Sequence, residues 1–193
     1  MESVVKSLDV GKLPLEERQK LAFDHSTPVD VLVKLAGDRN WIIRAGIAEN
    51  HSTPISILVT LANDDIEVVR EYVARNLSTP LNVLVKLAGD EDRDVCRSVA
   101  SNPNTPSKVL HKLYRNLVRK DELDVEFAEV FVKKNILEQT EVLALIALYG
   151  QTVADTAAQS VVVAKNSLLE KVLTEYDYTA QRMSEEKSTG LVI

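Results

Sequence analysis

The chain has 193 residues, of which 45% are hydrophobic, 5% aromatic and 27% charged, and this composition excludes a disordered or collagen-like polypeptide. The net charge is −6, from 23 basic and 29 acidic side chains, which argues against a general binder of the nucleic-acid backbone. The single cysteine, Cys96, excludes an intramolecular disulfide, a four-cysteine zinc site and an iron–sulfur cluster held by the cysteines of this chain.

The hydrophobic pattern gives no sign of a membrane or secretory segment. No apolar run reaches the roughly 18–20 residues that a membrane-spanning helix needs. The first residues, Met-Glu-Ser-Val-Val-Lys, lack the basic-then-apolar order of a signal peptide. The sequence therefore predicts a cytoplasmic protein that does not enter a membrane.

An internal repeat of 26 residues organises the first part of the chain. Four of the six prolines have this spacing, and a threonine precedes each of them: Pro28, Pro54, Pro80 and Pro106. Leucines recur in the same register, at Leu32, Leu58, Leu84 and Leu110 and at Leu35, Leu61, Leu87 and Leu113. Self-similarity of this kind indicates a repeat architecture, in which each unit buries its apolar face against the next.

In chain order, the first predicted element is a helix over residues 13–23, which caps the array because Arg18 stands 26 positions before Arg44. Each repeat then predicts two short helices, A and B. Helix A begins at the proline, whose missing N–H is harmless there, and the threonine hydroxyl before it accepts a backbone N–H. Helix A ends about nine residues later at a left-handed residue: Gly37, Asn63 or Gly89.

Helix B follows at once in each repeat. The pattern predicts that an aspartate caps it: Asp38, Asp64 or Asp90. Its predicted buried positions are apolar in all three repeats, namely Ile43, Val69 and Val95, Ile47, Val73 and Val99, and Ala48, Ala74 and Ala100.

After residue 113 the register slips, and the sequence predicts degenerate, lengthened helical repeats over residues 114–183 that pack on the same array. Thr140 to Gly150 repeats the spacing of the segment that begins at Thr105. Ser167 to Glu170 has the pattern of a capping box before a final helix that ends at about Met183. Residues 184–193 show no periodicity and are expected to form a flexible tail.

The pattern Asn-x-x-Thr-Pro-x-x-x-Leu-x-x-Leu-Ala-x-Asp, followed by Val-Arg and Val-Ala-x-Asn, resembles the leucine-rich repeat variant family of HEAT-like helical repeats. The resemblance is strong over residues 14–113. It implies an all-α fold in which two-helix repeats stack into a right-handed superhelical solenoid: a cap at residues 1–23, regular repeats at 24–113 and lengthened repeats beyond. One family member carries an iron–sulfur cluster on a cysteine-rich segment, which this chain lacks, so that property does not carry over.

Two polar sets recur with the repeat, and both suggest structural roles. One precedes the turn between repeats, where a short side chain can bond free backbone groups: Asp24, Asn50, Asn76 and Asn102. The other pairs Arg18, Arg44 and Arg70 with the aspartates of helix B, and an Arg–Asp bond within or between repeats would fix the stacking angle. Cys96 replaces the next arginine, so this set is broken or shifted there, and its thiol is expected to be inert.

The sequence offers no convincing catalytic or metal-binding constellation. His25 and His51 are equivalent positions, but they supply at most half a zinc site, because Leu77 and Pro103 follow in register. Asp24-His25-Ser26 cannot converge as a catalytic triad, since the three residues are adjacent in one turn. No glycine-rich phosphate loop is present. The sequence therefore predicts no catalytic residue, no metal ion and no cofactor.

The candidate protein-binding residues lie on the exposed side of helix B, where the repeats differ. Trp41, the sole tryptophan, corresponds to Glu67 and Arg93, so it is expected to be partly exposed, either as a contact anchor or as a cover for the capping helix. The full candidate surface comprises Trp41, Glu67, Glu71, Tyr72, Arg75, Arg93 and Arg97. Helix A instead presents polar residues typical of a solvated face, such as Asp30 and Lys34.

These observations predict a non-catalytic scaffold that binds another macromolecule on helix B, and the mixed charges favour a protein over nucleic acid. Two alternatives stay open. One is an enzyme, because HEAT-like folds include DNA glycosylases and bilin lyases, although the acidity disfavours the glycosylase. The other is a self-assembling structural protein that pairs through apolar C-terminal stretches, Val142 to Leu148 and Val161 to Ala164.

Overall fold

The computed structural model describes residues 9–164 and 173–174, and within these ranges the fold is all-α, without a β-strand. A 3-10 turn, Val10–Lys12, precedes the first helix. The α-helices are α1 (Leu15–Phe23), α2 (Val29–Leu35), α3 (Trp41–Glu49), α4 (Ile55–Leu61), α5 (Glu67–Arg75), α6 (Leu81–Leu87), α7 (Arg93–Ser101), α8 (Ser107–Lys120), α9 (Val125–Lys133), α10 (Gln139–Tyr149) and α11 (Gln151–Ala164). Apart from residues 173–174, the predicted final helix and the tail lie outside the described residues.

The chain forms two compact units, which divide within α8 between Val109 and Leu110. In the first unit the B helices α1, α3, α5 and α7 pack against one another in chain order. Each A helix, namely α2, α4 or α6, packs against the B helix before it and the one after it. Small residues at the B-helix contacts, Ala22, Ala48 and Ala74, are fully buried and let the helices approach closely.

The leucines and the helix-B residues predicted to form the core are all buried. Leu32, Leu58 and Leu84 have no exposed surface, and neither do Ile43 and Val69. The 26-residue register therefore identified the buried positions correctly, because a residue that faces the neighbouring repeat must be apolar in every copy.

The start of helix A differs from the prediction. Each A helix begins one residue after the proline, which is itself the N-cap: Pro28 has extended torsions (φ −59°, ψ 143°), and its carbonyl accepts from Val31 and Leu32 N–H. The preceding threonine accepts no helix N–H. Instead Thr27 Oγ1 donates to the Leu21 carbonyl of the preceding helix at 2.7 Å, and Thr53 donates to Ile47 in the same way at 2.6 Å. The hydroxyl thus closes the previous helix and holds it against the next.

The predicted helix ends also need correction. Helix A ends on an alanine with right-handed torsions, such as Ala36 (φ −61°, ψ −23°). The predicted left-handed residues, Gly37, Asn63 and Gly89, do not have positive φ. Among the described residues, positive φ occurs at Asp121, Asn135 and Gly150. The aspartates are not helix-B caps, because α3 is capped by Asn40 and α7 by Asp92. They stand two residues earlier, where Asp38 Oδ1 accepts from the Asn40 N–H at 2.9 Å.

The second unit is built around aromatic side chains. Phe127 and Phe131 of α9 are fully buried, and the Phe131 ring meets Tyr114 edge-on, with ring centroids 5.5 Å apart. Helix α11 packs against α9 and α10, and Tyr149 Oη donates to the Leu123 carbonyl at 2.6 Å. Gly150, with φ of 68°, ends α10 and permits the turn into α11.

Candidate functional site

The asparagines between repeats form a buried ladder. Asn76 Nδ2 donates to the carbonyls of Ala48 at 2.7 Å and of Asn50 at 3.1 Å, and Asn76 Oδ1 accepts from the Ser78 N–H at 2.8 Å. Asn50 and Asn102 make the equivalent bonds one repeat before and one repeat after. These side chains satisfy backbone groups at every junction, so their role is to hold the stack together.

The arginines and aspartates form a second ladder between repeats. Arg44 binds Asp64 of the next repeat with two bonds, Nε to Oδ2 at 2.6 Å and Nη2 to Oδ1 at 2.8 Å, and Arg70 binds Asp90 in the same way. Arg44 Nη1 also donates to the Asp38 carbonyl at 2.8 Å. A planar guanidinium with these partners fixes the angle between adjacent repeats.

This second ladder sets the ionisation of its aspartates. Burial by itself would raise the pKa of Asp64, but the Arg44 hydrogen bond and the Ile66 N–H lower it, and the pKa lies below its ordinary value. The pKa of Asp90 is lowered in the same way by Arg70. The arginine series ends at Cys96, a buried thiol 3.4 Å from the Asp90 carbonyl. The sequence prediction that this set changes at the third repeat is therefore correct.

The rings of the two equivalent histidines stack on each other. The His25 and His51 rings are parallel, with centroids 4.9 Å apart. No group of three or more potential metal-ligating side chains comes together in the part of the chain that the structure describes.

Trp41 lies at the first position of α3 and is 41% exposed, which is the partial exposure expected from its repeat equivalents. Leu15 stands 26 residues earlier at the first position of α1 and is 43% exposed, and Phe23 at the end of α1 is 40% exposed. The Phe23 ring rests on Gly46, where a Cβ would lie 2.8 Å from it. We call Leu15, Phe23 and Trp41 the α1–α3 patch.

The charged candidates on α5 and α7 are partly bound to one another. Arg75 forms an ion pair with Glu71, lies 5.7 Å from the centroid of the half-buried Tyr72 ring, and reaches Ser98 Oγ at 3.3 Å. Arg97 forms an ion pair with Asp94. The structure thus brings Glu71, Tyr72 and Arg75 together, whereas Glu67 and Arg93 are exposed at the first positions of their helices.

Gly46, Tyr72 and Ser98 are equivalent positions of helix B that differ between the repeats, and such variation predicts an exposed binding surface. The structure does not make these positions a free surface. Gly46 and Ser98 are buried, and Gly46 is set by its contact with Phe23. Sequence reasoning also missed Leu15 and Phe23 as exposed apolar residues. The period contained the signal for Leu15, because it occupies the Trp41 position of the capping helix.

The A helices are more apolar on their surface than the polar residues Asp30 and Lys34 suggest. Two large apolar side chains of each A helix, four residues apart, are between 39% and 56% exposed: Val29 and Val33, Ile55 and Val59, and Leu81 and Val85. We call these residues the A-face ridge. The interpretation of helix A as a merely solvated face is wrong for this row.

The apolar stretch from Val142 to Leu148, one of the two proposed for self-assembly, has most of its large side chains buried. Val142, Leu145 and Ile146 are at most 2% exposed, because they form part of the second unit's core, whereas Leu148 is 72% exposed and Ala144 and Ala147 are exposed too. The side chains of residues 161–164 lie outside the description. In addition, no helix among the described residues is both long and apolar enough to cross a bilayer.

Comparison with known proteins gives no relative from which a function could be transferred. No protein-family model matches the chain, and no curated protein or solved structure shows significant similarity to it. The functional argument therefore rests on the residues and contacts described above.

Proposed function

We propose that the first unit is a right-handed solenoid of two-helix repeats of the leucine-rich repeat variant type, and that the chain is a non-catalytic scaffold that binds a protein on its B helices. The repeat pattern supports this assignment, and so do the inter-repeat bonds of Asn50, Asn76 and Asn102, which recur with the same donors and acceptors at each junction. The same bonds at the same spacing favour an arrangement in which one rotation and translation relates each repeat to the next. This relation defines a solenoid.

The observation that carries the binding proposal is the α1–α3 patch. Leu15, Phe23 and Trp41 are each at least 40% exposed on two helices that pack against each other. Leu15 and Phe23 lie about 12 Å apart along α1, so the patch is long enough for a segment of a partner. Large exposed apolar and aromatic side chains, Trp above all, concentrate binding energy when a partner removes them from water.

The neighbouring polar residues fit the rim of such a site. Glu71, Tyr72 and Arg75 are held by their mutual contacts, so little side-chain entropy is lost when a partner binds them. The side chains of Glu49 and Glu67 make no hydrogen bond or ion pair with another described residue, so their carboxylates can accept from a donor of the partner.

The test is capture of partners from a native lysate by three immobilised proteins, namely the original chain, Trp41→Ala and Leu77→Ala. Leu77 is the control because it is a large, 55% exposed apolar side chain in a turn between repeats, off the B helices. We expect a reproducible partner whose affinity falls at least tenfold, about 1.4 kcal/mol, with Trp41→Ala and by less than twofold with Leu77→Ala. Equal retention by both variants would contradict the proposed face.

A further inference from the structure

Among the described residues of the first unit, 9–109, the A-face ridge is the longest row of exposed apolar side chains. Its six residues lie on three successive A helices, and within each helix they are four residues apart, on one side. The buried residues of the same helices are others, such as Leu32, Leu58 and Leu84. The ridge is therefore additional to the core.

The repeat fold does not require apolar residues at these positions. The fourth copy of helix A has Ser107 and His111 where the first has Val29 and Val33. A polar pair is thus compatible with the same start after a Thr-Pro step. The start of the helix therefore does not set the apolar residues found here in three consecutive repeats, and their exposed halves are available for a contact.

The size of the ridge suits the centre of a modest protein interface. A fully exposed aliphatic side chain offers on the order of 100 Å² of apolar surface, so six half-exposed ones present about 300 Å². A patch of that area is at the size where exposed apolar surface begins to mark interaction sites. An interface of standard size buries about 800 Å² per partner, with a polar rim around such an apolar centre.

We propose that the A-face ridge pairs with the same ridge of a second copy of this chain, around a two-fold axis that runs along the stack of A helices. In this arrangement each A helix faces its own copy in the antiparallel direction. Val29 then lies over Val33 of the other copy, with Ile55 over Val59 and Leu81 over Val85. A surface that meets itself in this way forms a closed dimer.

The charges beside the ridge select this axis. Asp30 and Lys34 follow Val29 and Val33 directly, both are exposed, and neither forms an ion pair within 4 Å of a described residue. Lys12 lowers the pKa of Asp9, and the more distant Lys34 charge adds to this effect. Antiparallel pairing of α2 with its copy places Asp30 of each chain beside Lys34 of the other chain, so two ion pairs form. The central helix offers the neutral Ser56 and Thr60 at these positions.

This proposal is independent of the binding function proposed above, because the ridge lies on the A helices and the α1–α3 patch lies on the B helices. A monomeric chain could still bind its partner, and a dimeric chain could still lack one.

The first experiment measures the dimer dissociation constant of the full-length chain by analytical ultracentrifugation. The original chain should dimerise, and Ile55→Lys/Val59→Lys should raise the dissociation constant at least 30-fold, since it places four ammonium groups at the centre. Asp30→Lys and Lys34→Asp should each raise it about tenfold, whereas the double exchange Asp30→Lys/Lys34→Asp should restore it to within about threefold. All these side chains are exposed, and circular dichroism checks that each variant folds.

The second experiment tests the direction of pairing with a short bismaleimide cross-linker. Antiparallel pairing predicts that an equimolar mixture of Ile55→Cys and Val59→Cys cross-links to dimers several-fold faster than either variant alone. The buried Cys96 is common to all samples, and the original chain shows its background. Faster cross-linking of either variant alone would contradict the antiparallel arrangement.

Three further outcomes would overturn the proposal. One is a chain that stays monomeric at a concentration of about 0.1 mM. The second is a dimer that survives Ile55→Lys/Val59→Lys, because the copies would then meet elsewhere. The third is a monomeric chain that binds a different protein and loses this binding in Ile55→Lys/Val59→Lys. The ridge would then be the binding site of that protein and not of a second copy.

Discussion

Asn76 bonds three backbone groups with one side chain, and its amide must donate as well as accept. Its Nδ2 donates to the Ala48 and Asn50 carbonyls, and its Oδ1 accepts from Ser78. Asp24, the first member of the series, makes only the accepting bonds, to the Ser26 N–H and Oγ. A carboxylate is therefore sufficient at position 24 and unsuitable at position 76.

Exchange of these two side chains tests this reasoning. Asn76→Asp replaces a buried donor by an oxygen that faces two carbonyls, so it should lower the free energy of unfolding by about 2 kcal/mol or more. Asp24→Asn keeps the accepting oxygen in an exposed turn and should leave the free energy of unfolding almost unchanged. Urea unfolding at pH 7 measures both, and equal losses would contradict the account.

Gly46 and Gly37 differ in what surrounds them. A Cβ at Gly46 would lie 2.8 Å from the Phe23 ring and 3.0 Å from Ala22 Cβ, so the Phe23 ring would have to move or the contact between α1 and α3 would have to widen. Nothing lies within 4 Å of a Cβ at Gly37. We expect Gly46→Ala to lower the melting temperature, at a cost of about 1–3 kcal/mol, and Gly37→Ala to raise it through a gain of about 0.5 kcal/mol. Thermal unfolding checks the opposite signs, and destabilisation by Gly37→Ala would show that its backbone needs glycine.

At the scale of the helices, the Arg–Asp bonds join elements that lie 20 residues apart. The Asp64 side chain is 7% exposed, so removal of its charge leaves Arg44 buried without its carboxylate. Asp64→Asn should cost about 2–4 kcal/mol at neutral pH, whereas Asp65→Asn, an exposed neighbour with the same charge change, should cost less than about 0.5 kcal/mol.

The lowered pKa of Asp64 fixes the sign of the pH dependence. A carboxyl whose pKa is lower in the folded state stabilises fully above its unfolded pKa, about 3.9, and loses this contribution as the pH falls through the folded value. The free energy of unfolding of the original chain should therefore drop steeply below about pH 4. Asp64→Asn should make this acid decline shallower. An acid decline identical in both proteins would mean that Asp64 titrates alike in the folded and unfolded states.

The helices and their buried faces could be predicted from the repeat, because only residues with a structural role recur in every copy. Thr27 and Asp38 recur too, but their tasks depend on the third dimension. The carbonyl that accepts from Thr27 belongs to the preceding helix, and Asp38 binds Arg18 of the preceding helix at 2.9 Å. Capping rules consider only residues that are close in sequence, so they predicted the wrong hydrogen bonds for Thr27 and Asp38.

The A-face ridge escaped sequence reasoning for a different reason. Helix α2, Val-Asp-Val-Leu-Val-Lys-Leu, is apolar at five of seven positions, so periodicity in so short a helix does not tell buried from exposed residues. The packing of α2 against α1 and α3 makes the choice, and it leaves Val29 and Val33 outside.

At the scale of the whole molecule, the first unit presents two unlike surfaces. The B helices carry the α1–α3 patch beside paired charges, and the A helices carry the apolar ridge. We expect the first to bind a different protein and the second to bind a copy of this chain. Separate surfaces allow a scaffold to assemble and to recruit a partner at the same time.

The most direct test of partner binding uses the fact that Trp41 is the only tryptophan. Incorporation of 5-fluorotryptophan gives one fluorine resonance, which reports on this side chain even when the partner contains tryptophan. On addition of a captured partner, we expect the Trp41 resonance to shift and its solvent-isotope effect to decrease, because the indole ring leaves water. A partner that binds, as sedimentation of the same sample would show, while this resonance stays unchanged would contradict the assignment of the binding surface.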